Sequence, residues 1–262
     1  MDLGPIGIFD SGVGGTTVWR EIKKLLPNES TIYVADSLHA PYGKRTKAEM
    51  RELSVKITDF LLAQGCKIIV VACNTVTTNA IKFLRDRYRV PFIGIEPAIK
   101  LAALNTKSGV VGVLATKGTL ASELFHQTSD AHANNITVIE QEGEGLVELI
   151  ESGKLESGEL KGLLREYLDP MVDAGADALV LGCTHYPYLI PLIKKIVPET
   201  LQIIDSGAAV ARQTKAVLEQ NSMLNDPGEA PTDIFYTTGD VSLLKGFIKD
   251  AEENTPVLKL KC

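Results

Sequence analysis

Two thiols occupy matching places in this sequence. In KIIVVACNT the chain reaches Cys73 where an apolar, β-branched run stops, and in DALVLGCTH it reaches Cys183 in the same way. Small polar residues follow each one: Asn74 and Thr75 after the first, Thr184 and His185 after the second. A lone free cysteine in such a place is commonly a small buried hydrophobe. Equivalent placement twice, with polar neighbours both times, favours chemistry instead. An unperturbed thiol titrates near about 8.5, so of two thiols one can be thiolate while the other is still protonated. Facing each other across one ligand, they would form a two-base pair, one removing a proton and the other delivering one. His185 lies two residues past Cys183, and an extended chain there would put both side chains on one side. A histidine so placed can tune the thiol or act as an acid.

The other candidates sort by their surroundings. FDSGVGG places Asp10 and Ser11 at the end of an apolar run and glycines before a helix. It lacks both the G-x-G-x-x-G spacing and the Gly-Lys-Ser/Thr ending of phosphate loops, so it is expected to serve a carboxylate or a backbone turn. Asp10 by itself also reads as a turn former. The helix that follows should bury Val18, Ile22, Leu25 and Leu26. Cys66 follows a helix stop without a counterpart elsewhere and Cys262 is terminal, so both read as structural. His39, His126 and His132 have no chemical company in the sequence.

The elements that position these residues alternate. GPIGIFD, STIYVAD, KIIVVAC, VPFIGIE, GVVGVLA, NITVIE, DALVLGC and LQIID read as short strands. Helical patterns lie between them, the clearest in KRTKAEMRELSVKITDFLLAQG, where Met50, Leu53, Ile57, Phe60 and Leu61 share one face and Gly65 suits the stop. Setting Gly65 on Gly175 aligns Cys73 with Cys183 at an offset of 110 residues, and setting Gly7 on Gly112 aligns IGIFDSG with VGVLATKG at 105. STIYVAD parallels NITVIE, and PFIGIE parallels LQIID. Four strands repeated in one order predict an α/β fold of two similar domains with largely parallel sheets, related by a pseudo-twofold axis. The expected division is 1–97 plus 207–262 for the first domain and 98–206 for the second, with the tail packing back on the first. Ligands of such sheets bind beyond the carboxyl ends of the strands. Asp10, Ser11, Cys73, Asn74, Thr75, Thr116, Cys183, Thr184 and His185 all fall there, so the active site is expected in the cleft between the domains.

Composition narrows the partners. The 262 residues are 45% apolar and 23% charged, with a formal net charge of −6. Without a basic run or stripe, nucleic acid is not expected, and a small-molecule ligand is. No apolar stretch is long enough to cross a bilayer and the first ten residues do not form a signal peptide, so no membrane is implied and a cytoplasmic location is expected. Four cysteines without a Cys-x-x-Cys pair suit free thiols in a reducing compartment.

In order along the chain, FDSGVGG, APYG, VVACNTVTT, IGIEPA, LGCTHYP, IDSG and YTTGD resemble the cofactor-independent aspartate/glutamate racemases, and His185 in the second cysteine motif resembles the glutamate branch. The resemblance implies racemisation of L- and D-glutamate without cofactor or metal, and supply of D-glutamate for peptidoglycan in a bacterial cytosol. It implies Cys73 and Cys183 as the catalytic pair, the first acting on the D and the second on the L enantiomer. Asp10 and His185 assist them. Asp10, Ser11, Pro41, Tyr42, Gly43, Asn74, Thr75, Thr116, Thr119, Thr184 and His185 surround the substrate. The family's functional glutamate falls in GEGLVELIESG, where Glu148 and Glu151 both qualify and Glu151 is the choice. Ser37 and His39 stand where members often have Thr and Arg. Inverting an α-carbon needs acid/base groups on both faces, and reaction distances of roughly 3–3.5 Å to each put the sulfurs about 7 Å apart. Three alternatives stay open: a zinc hydrolase using Cys73, Cys183, His185 and Asp10, an amino-acid-binding module without chemistry, and a racemase for another acidic amino acid. A homodimer is left open too.

Overall fold

The structure, a computed structural model, describes residues 4–132, 136–226, 230–249, 251 and 255–261. Cys262 and the side chain of His132 lie outside the described residues. The chain runs through β1 (Ile6–Asp10), α1 (Thr16–Leu25), β2 (Thr31–Ala35), α2 (Lys47–Ala63), β3 (Ile68–Val71), α3 (Asn74–Arg87) and β4 (Phe92–Gly94). It continues through α4 (Ile99–Asn105), β5 (Val110–Ala115), α5 (Lys117–Leu120), α6 (Glu123–His132), β6 (Thr137–Glu142), α7 (Leu146–Glu151), α8 (Gly158–Asp173), β7 (Ala178–Gly182), α9 (Ile190–Ile193) and β8 (Gln202–Ile204). Then follow α10 (Gly207–Gln220), β9 (Asp233–Thr237), α11 (Val241–Phe247) and β10 (Val257–Lys259).

The eight apolar runs are all strands. Because β1, β2, β3 and β7 are buried at every position, they read as continuous apolar segments rather than alternating ones, as strands covered on both faces do. They form two sheets, in the orders β10-β9-β2-β1-β3-β4 and β6-β5-β7-β8, with parallel pairings throughout. The internal repeat is visible in the register: Gly7 lies opposite Ile69 in the first sheet and Gly112 opposite Leu179 in the second. Those pairs are related by the same offsets of 105 and 110 residues that align the two cysteine motifs. Strands β9 and β10 extend the first sheet beyond β2. Neither was expected from the sequence, since β9 is bounded by polar residues and Pro231 and β10 has three residues, one of them a lysine.

The helix stops repeat as well. Gly65 and Gly175 take φ of +78° and +82°, the left-handed region in which a Cβ is strained. After each, the chain closes with the same pair of hydrogen bonds: Gly65 N–H to Leu62 O and Cys66 N–H to Leu61 O, then Gly175 N–H to Val172 O and Ala176 N–H to Met171 O. This double closure directs the chain from helix into β3 and β7 at equal distances before the two thiols. Cys66 is the buried residue that follows the first glycine. Helix α2 is opened by a capping box between Thr46 and Glu49 and buries Met50, Ile57 and Leu61. In α1, Val18 and Ile22 are buried as expected, but Leu25 is 37% exposed and Trp19 is buried in its place. The stripe turns with the helix toward Phe235 of β9, against which Trp19 packs edge-on at 4.9 Å.

In both sheets the strand order reverses beside the first strand of the unit, between β1 and β3 and between β5 and β7. Crossovers leave in opposite directions there and open a crevice at the carboxyl ends. Asp10 and Cys73 lie at one such point, Thr116 and Cys183 at the other.

At the opposite end of the first sheet, Lys67 Nζ meets Glu29 Oε2 at 2.7 Å with side chains 0% and 2% exposed. Lys67 also donates to Asn225 Oδ1 at 2.8 Å, and the Asn225 amide donates to Glu29 Oε1 at 2.8 Å. The pair thereby ties the segment after α10 to the base of β2 and β3. Lys67→Met leaves a buried carboxylate without its counter-charge, which costs about 3–5 kcal/mol. A thermal melt should show a fall in Tm, while KM, set at the other end of the strands, stays near that of the unaltered chain.

Candidate active site

Cys73 and Cys183 line one small cavity between the sheets, of about 10 Å³, room for on the order of one water molecule. Ser11, Pro41, Tyr42, Gly43, Asn74, Thr75, Thr116, Thr184 and His185 line it with them. Asp10, Glu151 and Thr119 lie behind this lining. Both thiols are buried, at 4% and 6% exposure.

Cys73 caps α3 with extended backbone, at φ −138° and ψ 115°. Its sulfur approaches the Ser11 hydroxyl at 3.7 Å. Burial, reinforced by the charge of Asp10, pushes this thiol well above the ordinary range, with the Val76 amide and Ser11 hydroxyl opposing. Cys73 is therefore protonated at neutral pH. Asp10 is fully buried and accepts from the Gly15 amide at 2.7 Å, the Thr184 hydroxyl at 3.3 Å and the Ser11 hydroxyl at 3.4 Å. Burial raises its carboxyl pKa, against the pull of His185 and of the Gly15 amide.

On the other side, Cys183 Sγ lies 3.7 Å from His185 Nδ1, and His185 Nε2 lies 2.6 Å from Glu151 Oε1. Burial works to lower the imidazole's pKa, but its hydrogen bonds to Cys183 and Glu151 and the charge of Asp10 prevail and hold it well above its ordinary value. The ring is a cation at neutral pH, with one N–H directed to a carboxylate and the other toward a sulfur. The expected extended chain between Cys183 and His185 is absent. Strand β7 ends at Gly182 and His185 has helical backbone, at φ −74° and ψ −32°. A tight turn, in which the Tyr186 amide donates to Cys183 O, brings the two side chains together instead.

The glycine loop serves this network from behind. The Val13 amide donates to Glu151 Oε1 at 2.6 Å, as the Gly15 amide does to Asp10. The loop that the sequence leaves to a carboxylate or a backbone turn thus holds two carboxylates of the chain itself. A Cβ at Gly12 would overlap the Glu151 carboxylate and one at Gly14 the His185 ring, so side chains are excluded there by the closeness of α7 and of the turn after β7. Glu148, the other candidate, points away and pairs with Lys44 at 2.6 Å.

Hydroxyls join the two halves at the far wall. Thr75 Oγ1 lies 2.8 Å from Thr116 Oγ1 and 3.3 Å from Thr119 Oγ1, and Thr116 and Thr119 are 3.1 Å apart. Thr119 is fully buried and braces the other two. Val147 of α7 lines the cavity and was not foreseen from the sequence. It lies one helical turn before Glu151, so the choice of Glu151 carried the signal for it.

His126 has no place at the cavity, whereas His39 stands beside Asp36, at 2.8 Å. Among the described residues, no three His, Cys, Asp or Glu side chains are grouped as a metal site requires. No helix among them is long and apolar enough to cross a membrane. Cys66 lies away from the cavity, and burial pushes its thiol up to about 12. It is expected to resist alkylation at neutral pH, and Cys66→Ser to leave turnover largely intact; thiol labelling and a rate assay check both.

The family described as Asp/Glu/Hydantoin racemase matches residues 6–214. The chain belongs to this family. A glutamate racemase of Ectopseudomonas mendocina (strain ymp) is 49% identical over 246 residues, covering 93% of each chain. Among solved structures, Escherichia coli glutamate racemase in complex with L-glutamate and the activator UDP-MurNAc-ala superposes with a TM-score of 0.87 at 33% identity, over 98% of both chains. Glutamate racemase from Francisella tularensis in complex with D-glutamate gives 0.84 at 29% identity, over 100% of this chain and 98% of the other. The protein is thus a racemase-family enzyme with the two-sheet architecture of those relatives.

Proposed function

We propose that the enzyme interconverts L- and D-glutamate by passing protons between its two thiols and the α-carbon, without a cofactor. The observation that carries this reading is one buried cavity walled by both cysteines, each backed by its own polar group. Its relatives' names, and the structures that hold glutamate of either hand, support the substrate. A thiolate on one face takes the α-proton and leaves the electron pair on the α-carbon and its carboxylate; the opposite thiol returns a proton and becomes the thiolate. Since Cys73 is held protonated by burial, the resting site is prepared to deliver a proton from that side. By the family's assignment this serves conversion of L- to D-glutamate.

The carbanion demands the most from the site, because no electron sink is invoked and its charge spreads into the carboxylate. The Thr75 and Thr184 hydroxyls and oriented backbone amides suit that oxyanion. Asn74 Oδ1 is buried and makes no hydrogen bond among the described residues. An unpaired buried acceptor is costly, and the substrate's α-ammonium would satisfy it. Asp10 works with Cys73, and His185 with Glu151 works with Cys183. Around this site we read two domains, 1–97 plus 207–262 and 98–206, in an enzyme of the bacterial cytosol that supplies D-glutamate for peptidoglycan.

Each glutamate enantiomer, incubated with enzyme alone in D2O, is expected to yield the opposite enantiomer with deuterium at the α-carbon. Inversion that retained the original α-hydrogen in every molecule of product would defeat the two-thiol route. Tight binding with unchanged chirality would make the protein a binding module.

A further inference from the structure

The sequence marks APYG and YTTGD as motifs and leaves His39 without a role, and none of these is absorbed by the thiols' chemistry. They meet at one carboxylate. Asp36 directly follows β2 and is 1% exposed. Its Oδ2 accepts from the Tyr42 hydroxyl at 2.5 Å, and its Oδ1 accepts from the Thr238 hydroxyl at 2.7 Å. His39 Nδ1 lies 2.8 Å from Oδ1.

Each partner comes from a different part of the fold. Tyr42 lies in the loop whose Pro41, Tyr42 and Gly43 wall the cavity. His39 closes the short turn that opens this loop, and its carbonyl accepts from Arg45 Nε at 2.6 Å, so the histidine is tied to both ends of the loop. Thr238 follows β9 in the returning tail, and its hydroxyl also accepts from the Leu38 amide at 3.1 Å. Tyr42 is 1% exposed, and burial together with the Asp36 charge keeps its phenol protonated far above neutral pH. The phenol therefore remains a donor to Asp36, with its oxygen committed there and its ring left to shape the wall.

A buried carboxylate is stable only when its hydrogen bonds are made. All three donors converge on this one, so the position of the 41–43 wall is fixed through Asp36 rather than by apolar packing alone. We propose that Asp36 is a positioning residue for the reaction, holding the 41–43 wall against the substrate through Tyr42, with His39 and the tail residue Thr238 keeping the carboxylate in place. The inference rests on the glutamate reading above. It gives the returning tail a part in substrate binding, and it explains how a histidine replaces the family's frequent arginine: either side chain can present an N–H to Asp36.

A wall that touches the substrate equally in ground and transition states sets KM more than kcat. The test measures kcat and KM in racemisation, the Kd of D-glutamate by calorimetry, and Tm. Asp36→Asn and Tyr42→Phe are each expected to raise KM and Kd about tenfold, the loss of one charge-assisted hydrogen bond, with kcat within about threefold of the unaltered enzyme. The double variant should be no worse than either single one, since both break the same link. His39→Ala should raise KM, and His39→Arg should return it toward the starting value. A folded Asp36→Asn enzyme with unchanged KM and Kd overturns the inference, as do additive losses or an His39→Arg variant no better than His39→Ala. Should Asp36→Asn fail to fold, Thr238→Val carries the same test: raised KM and Kd support the link, and unchanged values overturn it. An unaltered enzyme that neither binds nor racemises glutamate overturns the underlying reading and this inference with it. Normal racemisation combined with indifferent variants overturns this inference alone.

Discussion

Cys73→Ser is expected to lower kcat for racemisation by roughly 10³-fold or more while leaving glutamate binding nearly unchanged. A serine hydroxyl occupies almost the same space and retains a donor toward Ser11, but it is a far weaker acid than a thiol and cannot supply the proton in the transition state. Losing a positioned acid/base group is worth 10²–10⁴-fold in typical enzymes, and the serine offers no acid of comparable strength on that face. The variant retains Cys183 with His185 and Glu151 behind it. It should still withdraw the α-proton of L-glutamate and return a solvent-derived one to the same face. In D2O, deuterium should then appear in recovered L-glutamate well before D-glutamate accumulates. Cys183→Ser should give the mirror result, with exchange confined to D-glutamate. The paired outcomes separate a two-thiol enzyme from one in which a single base visits both faces. Rapid inversion by either variant would remove that cysteine from the mechanism.

The fold was legible because the information repeats. Eight strands, the Gly65 and Gly175 stops and the alignment of Cys73 on Cys183 are each local signals of ordinary strength, but their order in two copies fixes the sheets, and the Gly7–Ile69 and Gly112–Leu179 registers carry the same offsets. The tail had no second copy to reinforce it, so β9 and β10 went unforeseen. In the site, residues directly after strands were legible because topology alone sends them to the crevice. Leu25 was misassigned because a 3.6-residue period cannot tell on which side of α1 the tail returns. Val147 was missed because an apolar residue on a short helix carries no chemical signature, and Asp36 because what distinguishes it is convergence: its partners Tyr42 and Thr238 are 196 positions apart. The sequence left the glycine loop to either a carboxylate or a backbone turn, and only the folded chain shows that its Val13 and Gly15 amides hold Glu151 and Asp10.

His185→Asn tests whether assistance to the two thiols is divided between two sides. Because mirror-image glutamates have equal free energy in water, kcat/KM must be the same from either enantiomer for every variant, however lopsided the damage. The expected loss of about 10²-fold in kcat/KM will therefore be equal in both directions, and rates alone cannot show which thiol is affected. Isotope effects can. His185 touches Cys183 and is held by Glu151, whereas Cys73 has Ser11 and the Asp10 carboxylate. If the cationic imidazole serves Cys183, its removal makes proton transfer at that sulfur the slow step in both directions. The kinetic isotope effect with α-deuterated L-glutamate, whose deuteron goes to Cys183, should then rise. That with α-deuterated D-glutamate, whose deuteron goes to Cys73 in what has become the faster step, should fall. Glu151→Gln weakens the hydrogen bond that helps hold His185 protonated and should change both isotope effects in the same sense but less. Isotope effects that rose together from both enantiomers would mean that His185 supports the two thiols alike, and the division of the site into a Cys73–Asp10 side and a Cys183–His185–Glu151 side would have to be abandoned.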